Sequence, residues 1–271
     1  MINLINTEWL KIRKYKGFWW MLGITALSYP GVNYFAHEGY QSLMRKKDMS
    51  SSMVKMIVGN PFTFPEAWHT VAYMSSFFVF IPAIVIIMFI TNEYTYKTHR
   101  QNIIDGWSRK EFMIAKLIDV VLITLLVTLL YSLVALTIGF INAETYTASP
   151  WEGSKYVALF ALQTFAQLSL AFLVAFIARK AFVGLGIFIF YLLILEPITV
   201  AIARNKAADI GRFMPLEISD RLIPPPAFAG KFNQEWYKAA LAAIDYHIIY
   251  TIVLLAIIWG LCFWLNSKRD L

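Results

Sequence analysis

Four histidines, His37, His69, His99 and His247, and one cysteine, Cys262, are the side chains that a metal or nucleophilic centre would need first. No two histidines stand at a ligand spacing. His37-Glu38 runs into Gly39-Tyr40-Gln41, so the two-histidine pattern of a zinc protease fails. His37 and His69 could meet outside the apolar stretches, although His69 beside Trp68 reads better as an interfacial residue. No serine lies in a Gly-x-Ser-x-Gly elbow. The Gly-Lys pair at Gly230-Lys231 is followed by Phe232 and lacks the upstream glycine of a phosphate loop, so no nucleotide hydrolysis is expected from this chain. A single cysteine excludes an internal disulfide, and in an apolar run it behaves as a small hydrophobe. Enzymatic chemistry is the first class to be set aside.

Composition names the solvent. Hydrophobic residues make up 59% of the 271, and charged ones only 15%. A soluble fold of this length would expose large apolar patches, whereas a bilayer covers them. The net charge of +7 then records orientation and contact with anionic lipid rather than nucleic acid. In that setting one acid stands out. Glu196, in Leu195-Glu196-Pro197, lies deep in an apolar run, where a charge costs at least about 2.5 kcal/mol. Pro197 frees a backbone carbonyl beside it, so a polar pocket can form. Two readings stay open: a carboxylate in a substrate or ion pathway, or a structural acid that holds the outer segment, paired with Arg204. Asp119 reads as an interfacial residue at the inner edge of its span.

The elements that must position these residues are helices of membrane length, so the fold class is all-α and polytopic, a single transmembrane domain over 1–271. Six apolar stretches run over 17–36, 71–91, 117–141, 156–178, 181–203 and 246–265, each near the length that crosses hydrocarbon. Pro30-Gly31 predicts a kink or early exit in the first, and Pro82 sits at the middle of the second. Ile2, Ile5, Trp9 and Ile12 recur at helical spacing, with Lys11, Arg13 and Lys14 pointing elsewhere. Residues 1–16 therefore read as a helix lying in the cytosolic interface. With the N-terminus inside, 13 of the 24 lysines and arginines fall on about 50 inner residues, and both termini are cytosolic. The outer segments 37–70 and 204–245 are not solvated linkers. Pro61-Phe62-Thr63-Phe64-Pro65 with Trp68, and Leu222-Ile223 before three prolines, predict short interfacial or re-entrant helices packed on the bundle. Ala171, Ala175 and Ala178 form a small-residue stripe that permits close helix approach.

The segment 92–116 carries the most information. Ile103, Ile104 and Trp107 would share one face of a short helix, and Gly106 is placed to end it. Ser108 followed by Glu111 is a capping box that starts the third span. The product is a helix–break–helix elbow that presents aromatic and charged residues to a partner on the cytosolic side.

This elbow resembles the loop between the second and third spans of ATP-binding-cassette (ABC) export permeases of the second type. In that family an acid ending span two is followed by a Thr-Arg stretch, a short helix ending in Gly, then Ser-Arg and a return into span three. The matching residues are Glu93, Thr98 with Arg100, Asp105-Gly106, Ser108-Arg109 and Lys116. One departure is that Lys97-Thr98, with His99 intervening, stands where Gly-Thr usually precedes the arginine. The interfacial N-terminal helix, six spans, inner termini and long outer segment between spans five and six also agree. The resemblance implies a permease in the bacterial cytoplasmic (inner) membrane that works as a dimer with a second permease copy. It implies a separate cassette ATPase subunit beneath it, with ATP and Mg bound there and no cofactor on this chain. The coupling residues it implies are Glu93, Arg100, Ile103, Ile104, Asp105, Gly106, Trp107, Ser108, Arg109 and Glu111. A secondary transporter working through Glu196, or a membrane scaffold, is the alternative. Members of the resembled family move lipids, peptides, antibiotics, polysaccharides and ions; an apolar bundle with few polar positions leans toward an amphipathic cargo.

Overall fold

In the computed structural model the chain is all-helical. It describes residues 8–45, 59–143, 149–204, 210–230 and 233–268, apart from 12 and 105. After a helical stretch at 8–14 come α1 (Lys16–Arg45), α2 (Glu66–Ser76), α3 (Phe80–Thr95), α4 (Thr98–Ile104), α5 (Arg109–Ile141) and α6 (Lys155–Ala178). Then follow α7 (Ala181–Phe190), a π turn (Tyr191–Leu195), α8 (Glu196–Arg204), a 3₁₀ turn (Ile210–Phe213) and α9 (Pro215–Asp220). The chain closes with α10 (Ala227–Gly230), α11 (Gln234–Ala242) and α12 (Ile244–Lys268). Among the described residues, α5, α6, the α7–α8 run over 181–203 and α12 are long and apolar enough to cross a membrane. The α2–α3 pair, bent by 48°, makes a fifth if it counts as one span. α1 is long enough, but Tyr29, Asn33, Tyr34 and His37 make it more polar.

Two boundaries differ from the sequence expectation for physical reasons. Pro30 does not end α1, which continues to Arg45. The second span is broken at 77–79, before Pro82, which lies in the first turn of α3, where a missing N–H leaves no helical bond unmade.

α6 is the centre of the packing. It touches α2, α3, α5, α7, α9 and α12, and Ala171 and Ala175 are fully buried on it. The alanine stripe thus serves packing inside the chain. A Cβ at Gly184 of α7 would lie 3.1 Å from Ile87 Cγ2 and 3.8 Å from Ala175 Cα, so the glycine sets how closely α7 approaches. An aromatic cluster of Tyr29, Tyr131 and Phe160 is buried in the core, with Tyr131 and Phe160 centroids 4.4 Å apart. Tyr131 donates its hydroxyl to Trp68 O at 2.8 Å, and Trp68 Nε1 donates to Pro150 O at 2.7 Å. Phe62, before α2, and Trp68, in its first turn, are therefore buried on the bundle, each 2% exposed. A side chain at Gly153 would meet Pro65 O at 2.5 Å, which is why that turn needs glycine.

Candidate functional site

The elbow is built by two backbone breaks. Lys97 (φ +56°) ends α3, and Gly106 (φ +96°) follows α4, both in the left-handed region. Trp107 N donates to Asn102 O at 3.0 Å and closes the turn. α5 then starts on the capping box anticipated from sequence. Ser108 Oγ accepts from Glu111 N at 3.2 Å, and Ser108 N donates to Glu111 Oε2 at 2.8 Å. On the α3 side His99 bonds Glu93 O through Nδ1 at 3.1 Å and packs on Tyr94, which Arg179 covers from the turn between α6 and α7.

Below the elbow lies a buried ionic node. Lys116 Nζ donates to Glu8 Oε2, to Glu93 Oε1 at 2.7 Å and to Asp119 Oδ2 at 3.1 Å. Lys11 Nζ bridges the same two glutamates, at 2.8 Å to Glu8 and 3.0 Å to Glu93. The Lys116 side chain is 1% exposed and lies against the Phe89 and Phe112 rings. Lys11 lies 5.8 Å from the Trp107 ring. Three carboxyls thus face two ammonium groups. Glu93 Oε2 and Asp119 Oδ1 are buried with no hydrogen-bond partner among the described residues. Burial alone would raise the Glu8 carboxyl, but the Lys116 and Lys11 charges outweigh it and hold it below its usual range. The node joins the stretch at 8–14, the end of α3 and the start of α5 in one contact, so none of the three can shift without the others. α5 is tied in addition to the last helix: Arg109 Nη1 donates to Ser267 O at 2.8 Å, and Asn266 Nδ2 donates to Arg109 O at 2.7 Å.

The expected elbow residues therefore divide. Arg100, Ile104, Gly106, Ser108 and Glu111 are exposed, Ile104 at 77% together with Tyr96 at 75%. Glu93 is 4% exposed and belongs to the node, Trp107 turns toward Lys11, and Arg109 holds the end of α12. Asp105 and the Ile103 side chain lie outside the described residues. Ile104 and Trp107 do not share a covered face. Asp119 is not an interfacial residue, because it is fully buried on Lys116. Glu8 and Lys11 were not anticipated. Their signal is a Glu and a Lys three apart on the amphipathic stretch, complementary to Lys116 and Asp119, also three apart.

Glu196 takes a second place in the structure. Five residues of π helix precede it, and its N–H donates back to Tyr191 O. Its Oε1 accepts from Glu217 N at 2.6 Å in the first turn of α9. Its carboxylate thus caps the first turn of α9. The Arg204 side chain lies outside the described residues. α9 is also fixed by Gln163 and Gln167, which donate to Asp220 Oδ1 at 2.8 and 2.7 Å, and by His247 Nδ1 on Ile218 O at 3.2 Å. Beyond it Pro224 O accepts from His69 Nε2 at 2.6 Å. His37 lies 2.8 Å from Asn142 Oδ1. All four histidines are thus held by uncharged groups, and no group of three His, Cys, Asp or Glu able to hold a metal ion occurs among the described residues.

Residues 4–195 match the family profile described as an ABC-2 family transporter protein. No curated protein matches the chain.

Proposed function

Because the chain belongs to the ABC-2 transporter family, we propose that it is the membrane-spanning subunit of an exporter whose ATPase is a separate chain docked on the elbow. The observation that carries this reading is the form of 96–111. The segment exposes Tyr96 and, on a short helix bounded by two left-handed residues, Arg100 and Ile104, while its base is fixed by the Lys116 node to α3, α5 and the stretch at 8–14. Such a part moves as a unit when its tip is pushed. α1 serves as the first span, being about 45 Å long at 1.5 Å per residue, with Trp20, Leu27 and Phe35 exposed for lipid. The bent α2–α3 pair is the second span, which brings the total to six and places the elbow and both termini in the cytosol of a bacterial inner membrane. The segment carrying α9 enters the bundle from outside as a re-entrant element. A second permease copy completes the pathway.

ATP binding to the docked subunits shifts the permease only insofar as it favours one arrangement of the paired chains over the other. Residues 99–111 transmit that preference to α3 and α5. Arg100→Glu reverses an exposed charge without touching the node. It should leave expression and thermal stability unchanged, while transport per ATP hydrolysed falls. Transport and hydrolysis measured together in proteoliposomes test this; an unchanged ratio contradicts the assignment.

A further inference from the structure

α6 and α7 are joined by Arg179 and Lys180 alone. Arg179 ends α6 in the left-handed region, at φ +56°, with its N–H on Ala175 O at 2.9 Å. Glycine is the usual residue there, because a Cβ crowds the backbone in that conformation. A side chain held in a strained place points to a task for it. The Arg179 guanidinium lies over the Tyr94 ring near the end of α3, 5.4 Å from its centroid. The same ring meets His99 of α4 at 4.7 Å and Phe176 of α6 at 6.2 Å. His99 is fixed in turn by its bond to Glu93 O. Contacts therefore run without a gap from the elbow helix through Tyr94 to the turn that starts α7. The Lys116 node ties the elbow to α3, α5 and the stretch at 8–14; the Tyr94 contacts add α6 and α7. Gly184 and Phe188 are the buried residues of α7, and Gly184 packs on Ile87 of α3. Few contacts besides the turn thus fix where the run over 181–203 stands.

We propose that Arg179 is a positioning residue for coupling: through Tyr94 it carries movement of the elbow helix into the α6–α7 turn and so to the span over 181–203. This deepens the coupling role given to the elbow above and rests on that reading. The cation–ring contact holds the turn to α3, so that a push on α4 displaces α3 and the start of α7 together. Without it α3 moves past the turn, and the span over 181–203 keeps its place.

The test uses the full chain captured with a cassette ATPase and carrying a nitroxide on Leu193→Cys, an exposed position in the π turn. Cys262 is buried and stays unlabelled. ATP should change the nitroxide spectrum in the parent. Arg179→Gly should reduce the ATP-dependent change by roughly two- to fivefold, the ratio that an exposed cation–ring contact carries. Its melting temperature should not fall, because glycine enters the left-handed region without strain. Arg179→Lys, which keeps the charge, should retain part of the response. Tyr94→Leu should reproduce the loss, and adding Arg179→Gly to it should remove nothing more. An undiminished response in Arg179→Gly overturns the proposal, as does a loss matched by lower stability or further loss in the double variant. If Tyr94→Leu fails to fold, Arg179→Gly and Arg179→Lys still decide. A chain that retains the ATPase with a full response in Arg179→Gly removes the Arg179 role alone. A chain that retains no ATPase removes the docking reading, and the Arg179 role with it.

Discussion

Lys116→Met should lower the melting temperature of the purified chain by on the order of 10 °C. The ammonium is fully buried and, among the described residues, is the one group that touches Glu8, Glu93 and Asp119 together. Methionine fills much of the same volume, so the loss is electrostatic and not a cavity. Removing one side of a buried ion pair costs about 3–5 kcal/mol, because the remaining charges stay desolvated and unmatched. For a chain of this length each kcal/mol is worth roughly 2–4 °C. The explanation makes a second demand. Adding Glu93→Gln and Asp119→Asn to Lys116→Met removes the stranded carboxylates and should recover part of the loss, although each change alone destabilises. Acid should act in the same direction. The Glu8 carboxyl is held below its ordinary value of 4.5, so its contribution is present above that pH and is lost as pH falls through the lower folded value. Thermal unfolding of the parent, Lys116→Met and the triple variant across pH checks both. A Lys116→Met chain as stable as the parent would mean that the node carries no net ion pairing.

The largest functional effect is expected at Gly106. Its φ of +96° is closed to proline, whose ring fixes φ near −65°. Gly106→Pro must therefore redirect the chain between α4 and α5. The residue is exposed and a Cβ there meets nothing within 4 Å, so the bundle should still assemble. Strain of about 1–3 kcal/mol at such a position shifts the elbow out of its native placement by roughly tenfold to a hundredfold. Transport should fall by that order, while stability of the spans changes little. Gly106→Asn, which tolerates positive φ better than most residues, should lie between. Flux assays beside thermal unfolding separate the two effects. Equal loss of stability and flux would make Gly106 a folding residue and not a hinge of the elbow.

The elbow was legible because its punctuation is local: a Ser-x-x-Glu box and a glycine carry their meaning within four residues. The helical class and four of the spans were equally legible, since unbroken apolar runs of membrane length have few other uses. The node was not, because it joins residues as much as 108 positions apart, and no local pattern ties Glu8 to Lys116. Glu93 was expected to face a partner for the same reason. Glu196 was visible as an anomaly, but its task was not. Its partner is the backbone N–H of Glu217, and a backbone donor has no signature in sequence. The break at 77–79 was not anticipated, because Pro82 in an apolar run reads as tolerated, while proline disrupts a helix toward its own N-terminal side, here one turn earlier.

The central claim is that the elbow docks an ATPase, and co-purification tests it most directly. The chain, tagged at its C-terminus, would be expressed with a candidate cassette ATPase and captured from detergent, beside a version in which 99–111 is replaced by a Gly/Ser stretch. The account predicts a stable complex with the native chain and none with the replacement, while both versions remain folded. Retention of the ATPase by the replacement would contradict the docking assignment. Failure of the native chain to retain any cassette ATPase would contradict the division of labour between permease and motor itself.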